Sequence, residues 1–291
     1  MRDSPSRFDT EAPRRFLGSA EYRMSSVQSV RLHQACVFFR FVFALAWGIG
    51  GLGLLSSARG GQPFSPSSPL WYLCAYSASL TGLVLTAVYE GRGGIRRLLD
   101  RLIPWRSGPH WYLVVLIGYP LVGLLGGLLA RLSGESGGPV PGWGRFYGLF
   151  LVSLATDPGP VGEEFGWRGF ALPRLLARWS PLKATVILGL IWSAIHIPAF
   201  FIPTLPQSRI SFPLFVLGTI SICIFDTWIY LRTGANLLLA ILVHGMANFC
   251  ASNMGVPFPF FAAAEVIAAS IVIVTGGLKQ AAPARLTGAQ C

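Results

Sequence analysis

Residues 156–170 read TDPGPVGEEFGWRGF. Glu163 and Glu164 follow a Pro-Gly-Pro break at 158–160, and Arg168 stands four residues after Glu164. The chain on either side is so apolar that it reads as membrane. Two acids and a base therefore lie where charge is most expensive. A fold that keeps them must supply partners or a polar cavity.

The surrounding composition agrees. Of 291 residues, 53% are hydrophobic and 12% charged, against the roughly 25% charged share of soluble domains. Mean hydropathy is +0.56. These values predict an all-α, polytopic membrane protein. Five cysteines (Cys36, Cys74, Cys223, Cys250 and Cys291) include no CxxC pair, so neither a disulfide framework nor a zinc ribbon is indicated.

Eight apolar segments are long enough to be candidate transmembrane helices: about 35–55, 70–89, 111–130, 146–173, 184–203, 212–231, 236–252 and 256–275. The fourth carries the Pro-Gly-Pro break. Residues 1–33 hold six Arg and four acids with no apolar run, and read as a polar tail rather than a signal peptide. Residues 276–291 read as a second tail. Between the tails the sequence divides into 34–144, the first three helices, and 145–275, where the unusual residues lie.

The net charge of +11 would suit nucleic acid, but its distribution gives a different reason. Placed on the eight segments, eighteen of the 23 Lys and Arg fall on one side and four on the other, with Arg168 inside a segment. The positive-inside rule then puts both termini in the cytoplasm, and no nucleic-acid partner is expected. The bilayer is the expected partner, and the cell membrane the expected location.

Ionisable and amide groups inside the segments are few. Segment four holds Asp157, Glu163, Glu164 and Arg168. His196 is in segment five, Asp226 in six, His244 and Asn248 in seven, and Glu265 in eight. A charge at mid-membrane costs at least ~3 kcal/mol, so such residues usually face a protein interior and mark function. Counting ~1.5 Å per helical residue along the alternating topology puts Glu163, His196 and His244 between the midplane and the cytoplasmic side. They can share one cavity, formed by helices four to seven.

Local spacing suggests roles. Glu164 and Arg168 are i,i+4 and can pair on one helix face. Glu163 is turned about 100° away, free of that partner, as suits a general base. His244 and Asn248, also i,i+4, can present an imidazole and a carboxamide to one oxygen. Trp192 and His196 share a face in the same way. Asp157 followed by Pro158 suits an N-cap with Pro at the first helical position. A broken helix is tolerated at membrane depth where it lines a cavity. Structural readings remain open: Glu164 with Arg168 as an ion pair alone, and the histidines as helix-to-helix hydrogen bonds. Asp226, near an inner end and followed by Trp228 and Tyr230, reads as an interface anchor. Glu265 has no cation in its segment and receives no assignment.

Three motifs stand in order: GEEFGWRGFALPRLL at 162–176, IWSAIHIP at 191–198 and HGMAN at 244–248. In them the sequence resembles the CAAX protease and bacteriocin-processing (CPBP, Abi) family of intramembrane endopeptidases, which includes the Ras-converting CAAX prenyl endopeptidases. The first fits EExxxR, the second FxxxH with Trp192 in place of Phe, and the third HxxxN. The resemblance covers about residues 145–255. It implies hydrolysis of a peptide bond within the membrane, with Glu163 and His196 activating a water. It further implies that His244 and Asn248 stabilise an oxyanion while Glu164 and Arg168 orient the site. The implied substrate is a membrane-anchored, prenylated or leader peptide. The favoured mechanism uses no metal; the alternative is zinc held by Glu163, His196 and His244. Two other functions compete. One is a non-catalytic membrane partner on the same scaffold, such as a bacteriocin-immunity or regulatory protein. The other is a transporter, since broken helices and intramembrane acids occur there too.

Overall fold

A computed structural model describes residues 12–61, 68–103 and 107–279, with side chains from residue 26 onward. The described residues are helical and contain no strand. The helices are α1 (Ala12–Ala58), α2 (Pro69–Ala75), α3 (Ser77–Asp100), α4 (Pro109–Leu132), α5 (Trp143–Thr156) and α6 (Pro158–Glu164). A π-helical turn follows at Phe165–Ala171, then α7 (Leu172–Leu176) and α8 (Pro181–Ile195). Two 3-10 turns, Ile197–Phe201 and Pro206–Arg209, lead to α9 (Phe212–Arg232), α10 (Leu237–Asn253) and α11 (Phe258–Val274).

Proline sets many of the starts. It occupies the first or second position of α2, α4, α6, α7, α8, α9 and α11, where its missing N–H leaves no bond unmade. The turn before α10 takes two left-handed residues, Gly234 (φ 65°) and Ala235 (φ 67°). Asn236 then caps α10 by accepting from the Leu239 N–H at 3.0 Å.

The eight hydropathy segments divide into different kinds of structure. Four helices are long and apolar enough to cross a membrane by themselves: Ser26–Ala58, Pro109–Leu132, Pro181–Phe201 and Phe212–Arg232. The pair α2–α3, bent by 58°, makes a fifth if taken as one span. Helices α10 and α11 are shorter apolar helices. Segment four is not one span; it is the broken run α5, α6, π turn and α7. Helix α1 begins at Ala12, so the stretch read as an N-terminal tail is helical from that point. Residues 1–11 and 280–291 of the two expected tails lie outside the described residues.

Two large apolar cores form among the described residues, with three smaller clusters beside them. One gathers α1, α3, the π turn, α7 and α8 around Phe38, Leu85, Trp167, Phe170, Leu188 and Trp192. The other gathers α4, α5, α9, α10 and α11 around Val115, Phe146, Ile229, Met246, Phe249 and Phe261. Helix α6 packs against both α3 and α10, and so lies between the two cores. On the outside, α4 exposes Leu113, Ile117, Leu121, Leu124 and Leu128. This stripe at helical spacing suits a lipid face.

The approach of α2 and α3 to the α6–π run is close enough to exclude side chains. A Cβ on Gly166 would collide with the Ala78 carbonyl oxygen, and one on Gly162 would meet that of Ala75 at 2.7 Å. Gly82 of α3 faces the Gly166 Cα in the same way, at 2.8 Å. The Ser79 hydroxyl donates to the Val161 carbonyl at 2.8 Å across this contact. Main chain therefore sets the position of the two glutamates.

Candidate active site

Asp157 ends α5 and starts α6. Its Oδ1 accepts from the Gly159 N–H at 2.9 Å, with Pro158 at the first helical position, the capping arrangement that the sequence suggests. One and a half turns later α6 delivers Glu163 and Glu164, and the chain then widens into the π turn. Such turns are rare and frequent at functional sites. Here the turn carries Trp167 and Arg168 with their side chains fully buried.

Glu164 and Arg168 pair as their spacing predicts. Arg168 Nη1 donates to Glu164 Oε1 at 2.7 Å, and both side chains are fully buried. His244 Nδ1 lies 2.9 Å from the same oxygen. Arg168 Nη2 lies 2.9 Å from Asp226 Oδ2 and directs its hydrogen to Cys223 Sγ at 3.4 Å. The Trp192 ring covers the guanidinium at 5.1 Å. Asp226 is therefore no interface anchor: it is fully buried on α9 and completes an ionic network with Arg168. The aromatic residues after it suggested the interface, while the partner that explains it lies 58 positions away in sequence. A buried guanidinium needs its counter-charges; removing one partner from such a group costs about 3–5 kcal/mol.

Glu163 faces the other way. It lines a cavity of about 620 Å³, together with Asp157, His196, His244 and Asn248; neither Glu164 nor Arg168 lines it. Glu163 Oε2 accepts from the Trp167 indole N–H at 2.9 Å. Its Oε1 is left toward His196 Nε2, 3.9 Å away. The His196 ring is fixed on its other side, with Nδ1 2.9 Å from the Trp192 carbonyl oxygen and the ring face against Phe215. A carbonyl can only accept, so Nδ1 carries the proton and Nε2 of the neutral ring is an acceptor.

His244 and Asn248 reach the cavity from α10. With His244 Nδ1 turned to Glu164, its Nε2 faces inward. Asn248 Nδ2 donates to Asp157 Oδ2 at 3.0 Å, which fixes the amide orientation. Both nitrogens converge on Gly159, where a Cβ would lie 3.3 Å from Asn248 Nδ2 and 3.7 Å from His244 Nε2. Glycine thus leaves space in front of two nitrogens. Helix α8 presents Trp192 between the two histidines, with its ring 4.9 Å from that of His244.

Sequence reasoning missed three parts of this arrangement: the Trp167 bond to Glu163, the Asp157 bond to Asn248, and the place of Asp226. Trp167 was within reach of helical spacing, since it is i+4 from Glu163. The other two join distant segments. Among the described residues no three His, Cys, Asp or Glu side chains gather as a metal-holding group. His196 and His244 each hold Nδ1 in a hydrogen bond and leave Nε2 toward the cavity.

The comparisons bear on the same segment. Residues 143–250 match the model of the family described as type II CAAX prenyl endopeptidase Rce1-like. The segment is therefore similar to the Rce1-like family, over little more than a third of the chain. The chain is also 35% identical over 106 residues to CAAX prenyl protease 2 of Methanococcus maripaludis, a match covering 34% of this chain and 38% of that protein. The Rce1-like segment contains both glutamates, both histidines, Asn248, Arg168 and Asp226. It does not contain the whole cavity. Trp71, Cys74 and Ala78 on one side, and Phe258, Phe261 and Glu265 on the other, line it from outside the matched residues.

Proposed function

We propose that the cavity hydrolyses a peptide bond of a membrane-associated protein or peptide, using water held between Glu163 and His196. The observation that carries this reading is the pair of acceptors 3.9 Å apart on the cavity wall. A water placed ~2.8 Å from each directs one O–H to Glu163 Oε1 and the other to His196 Nε2. Its lone pairs are then free for a carbonyl carbon. Glu163 takes the proton as the oxygen attacks, and the Trp167 N–H keeps the carboxylate turned toward the water. The carbonyl oxygen becomes an oxyanion in the space before Gly159. Asn248 donates to it through its second N–H. His244 Nε2 donates when the ring carries its second proton, which also balances the two carboxylates and one guanidinium behind it. Preorganised donors of this kind act on developing charge at no reorganisation cost. Glu163 then passes its proton to the departing amine as the C–N bond breaks.

Glu164, Arg168 and Asp226 support the site without touching substrate. The reaction as proposed uses no metal. The name of the curated relative, a CAAX prenyl protease, supports a peptidase, and a prenylated or leader-type peptide anchored in the bilayer is the proposed substrate class. A location in the cell membrane with both termini in the cytoplasm is part of the same proposal, on the distribution of basic residues.

The test compares membrane proteomes of cells carrying the wild type, Glu163→Ala or His196→Ala at equal membrane levels. An accumulating precursor in both variants is expected. Normal processing by either variant would end this mechanism. Full turnover by chelator-treated protein without bound metal is expected alongside.

A further inference from the structure

Glu265 on α11 has no part in the chemistry above, yet it lines the same cavity. Its side chain is 2% exposed, and its Oε1 is buried without a hydrogen-bond partner. Among the described residues no Lys or Arg forms an ion pair with it. This is unusual. Asp226, equally buried, has Arg168; Glu164 has Arg168 and His244; Glu163 has Trp167. A carboxyl group buried without a partner is a standing cost to the fold, and buried acids are ordinarily paired or hydrogen-bonded.

The surroundings form a slot. Helix α11 turns Phe258, Phe261 and Glu265 to the cavity at helical spacing, and α9 turns Phe215, Gly218 and Ile222 toward it. Gly218 stands directly against the acid: a Cβ there would lie 2.9 Å from Glu265 Oε2. Small residues Ala247 and Ala251 of α10 complete the wall, on the same helix as His244 and Asn248. The slot is thus mostly apolar along its sides, the Thr219 hydroxyl being turned back to the Phe215 carbonyl; it is kept open by small residues and carries one acid.

We propose that Glu265 forms a specificity subsite for a basic side chain of the substrate. A lysine or arginine suits it: the aliphatic stem lies along the phenylalanine and alanine walls, and the cationic head meets the carboxylate. The substrate thereby supplies the counter-charge that the cavity lacks. This inference rests on the peptidase reading only in calling the ligand a substrate; the binding of a cation on an apolar stem stands without it.

Two measurements test it with full-length protein in lipid nanodiscs. In the first, membrane-anchored peptides carry lysine or the equally long, neutral norleucine at each position around the cleaved bond. Wild type is expected to prefer lysine at one position by about 10-fold or more in kcat/KM, the discrimination of one charge-assisted contact. Glu265→Gln is expected to shrink that gap to within about twofold; the gap, not the absolute rate, is the readout. Equal losses on both peptides, or no lysine preference in wild type, would overturn the proposal. The second needs no turnover. Dodecylamine and dodecanol are titrated against the protein, with empty nanodiscs as blank, and binding is followed by the fluorescence of the lining Trp71 and Trp192. Tighter binding of the amine, lost in Glu265→Gln, is expected. Equal binding of amine and alcohol by wild type refutes the subsite. Absence of any peptide cleavage with amine-selective binding intact refutes the peptidase reading alone.

Discussion

Glu163 and Glu164 are neighbours in sequence and face two different regions. Behind the cavity wall, Glu164, Arg168 and Asp226 form a buried network of ion pairs, which His244 links to the cavity. On the wall itself, Glu163 and His196 stand 3.9 Å apart with acceptor atoms toward open space. In the first region charges answer one another, although Glu164 Oε2, Arg168 Nε and Asp226 Oδ1 make no hydrogen bond. The second holds acceptors that answer nothing in the chain, and such sites call for a water or a ligand. Adjacent acids on one helix can therefore serve stability and chemistry separately, because one residue turns the side chain by about 100°.

The sharpest way to break this comparison is to neutralise each acid with nearly unchanged shape. Glu163→Gln is expected to lower turnover by about 10²–10⁴-fold, the usual worth of a general base, with little change in thermal unfolding. Glu164→Gln is expected to do the reverse, lowering the unfolding temperature while losing less turnover. If the two variants lose turnover equally, the division between the regions is wrong. Next in size, Arg168→Ala leaves Glu164 and Asp226 buried without their cation and is expected to destabilise by about 3–5 kcal/mol, read by unfolding in detergent. Asn248→Ala is expected to cost about 10²–10³-fold in kcat, as for one oxyanion donor, with KM little changed. An equal loss through KM alone would assign Asn248 to substrate binding instead. The smallest effect is expected from Gly166→Ala, which forces a methyl group against the Ala78 carbonyl oxygen. Overpacking of this kind costs about 1–3 kcal/mol, and the unfolding temperature should fall accordingly.

Much of the membrane character and of the local site geometry was legible. The Pro-Gly-Pro break, the Asp157 cap and the Glu164–Arg168 pair follow from spacings of four residues or fewer, and the structure has each of them. The all-α class followed from composition and from apolar segments long enough to cross a bilayer. What was not legible joins distant parts of the chain. Asp226 finds Arg168 across 58 residues, and Asn248 finds Asp157 across 91. No periodicity records such pairs. Span length was also misjudged at segment four, where hydropathy averages over a break that the backbone obeys. The cavity lining from α2, α3 and α11 was missed for a related reason: apolar residues facing a cavity and facing lipid look alike in sequence.

The glycine contact between α3 and the α6–π run has a consequence for how this protein can change. The acids are held largely by peptide groups lying against peptide groups, with the Ser79 hydroxyl bonding across them. The lining from α9 and α11 is built almost wholly of side chains. Inheritance can therefore rewrite what the cavity accepts, one residue at a time, while the water-holding pair keeps its place.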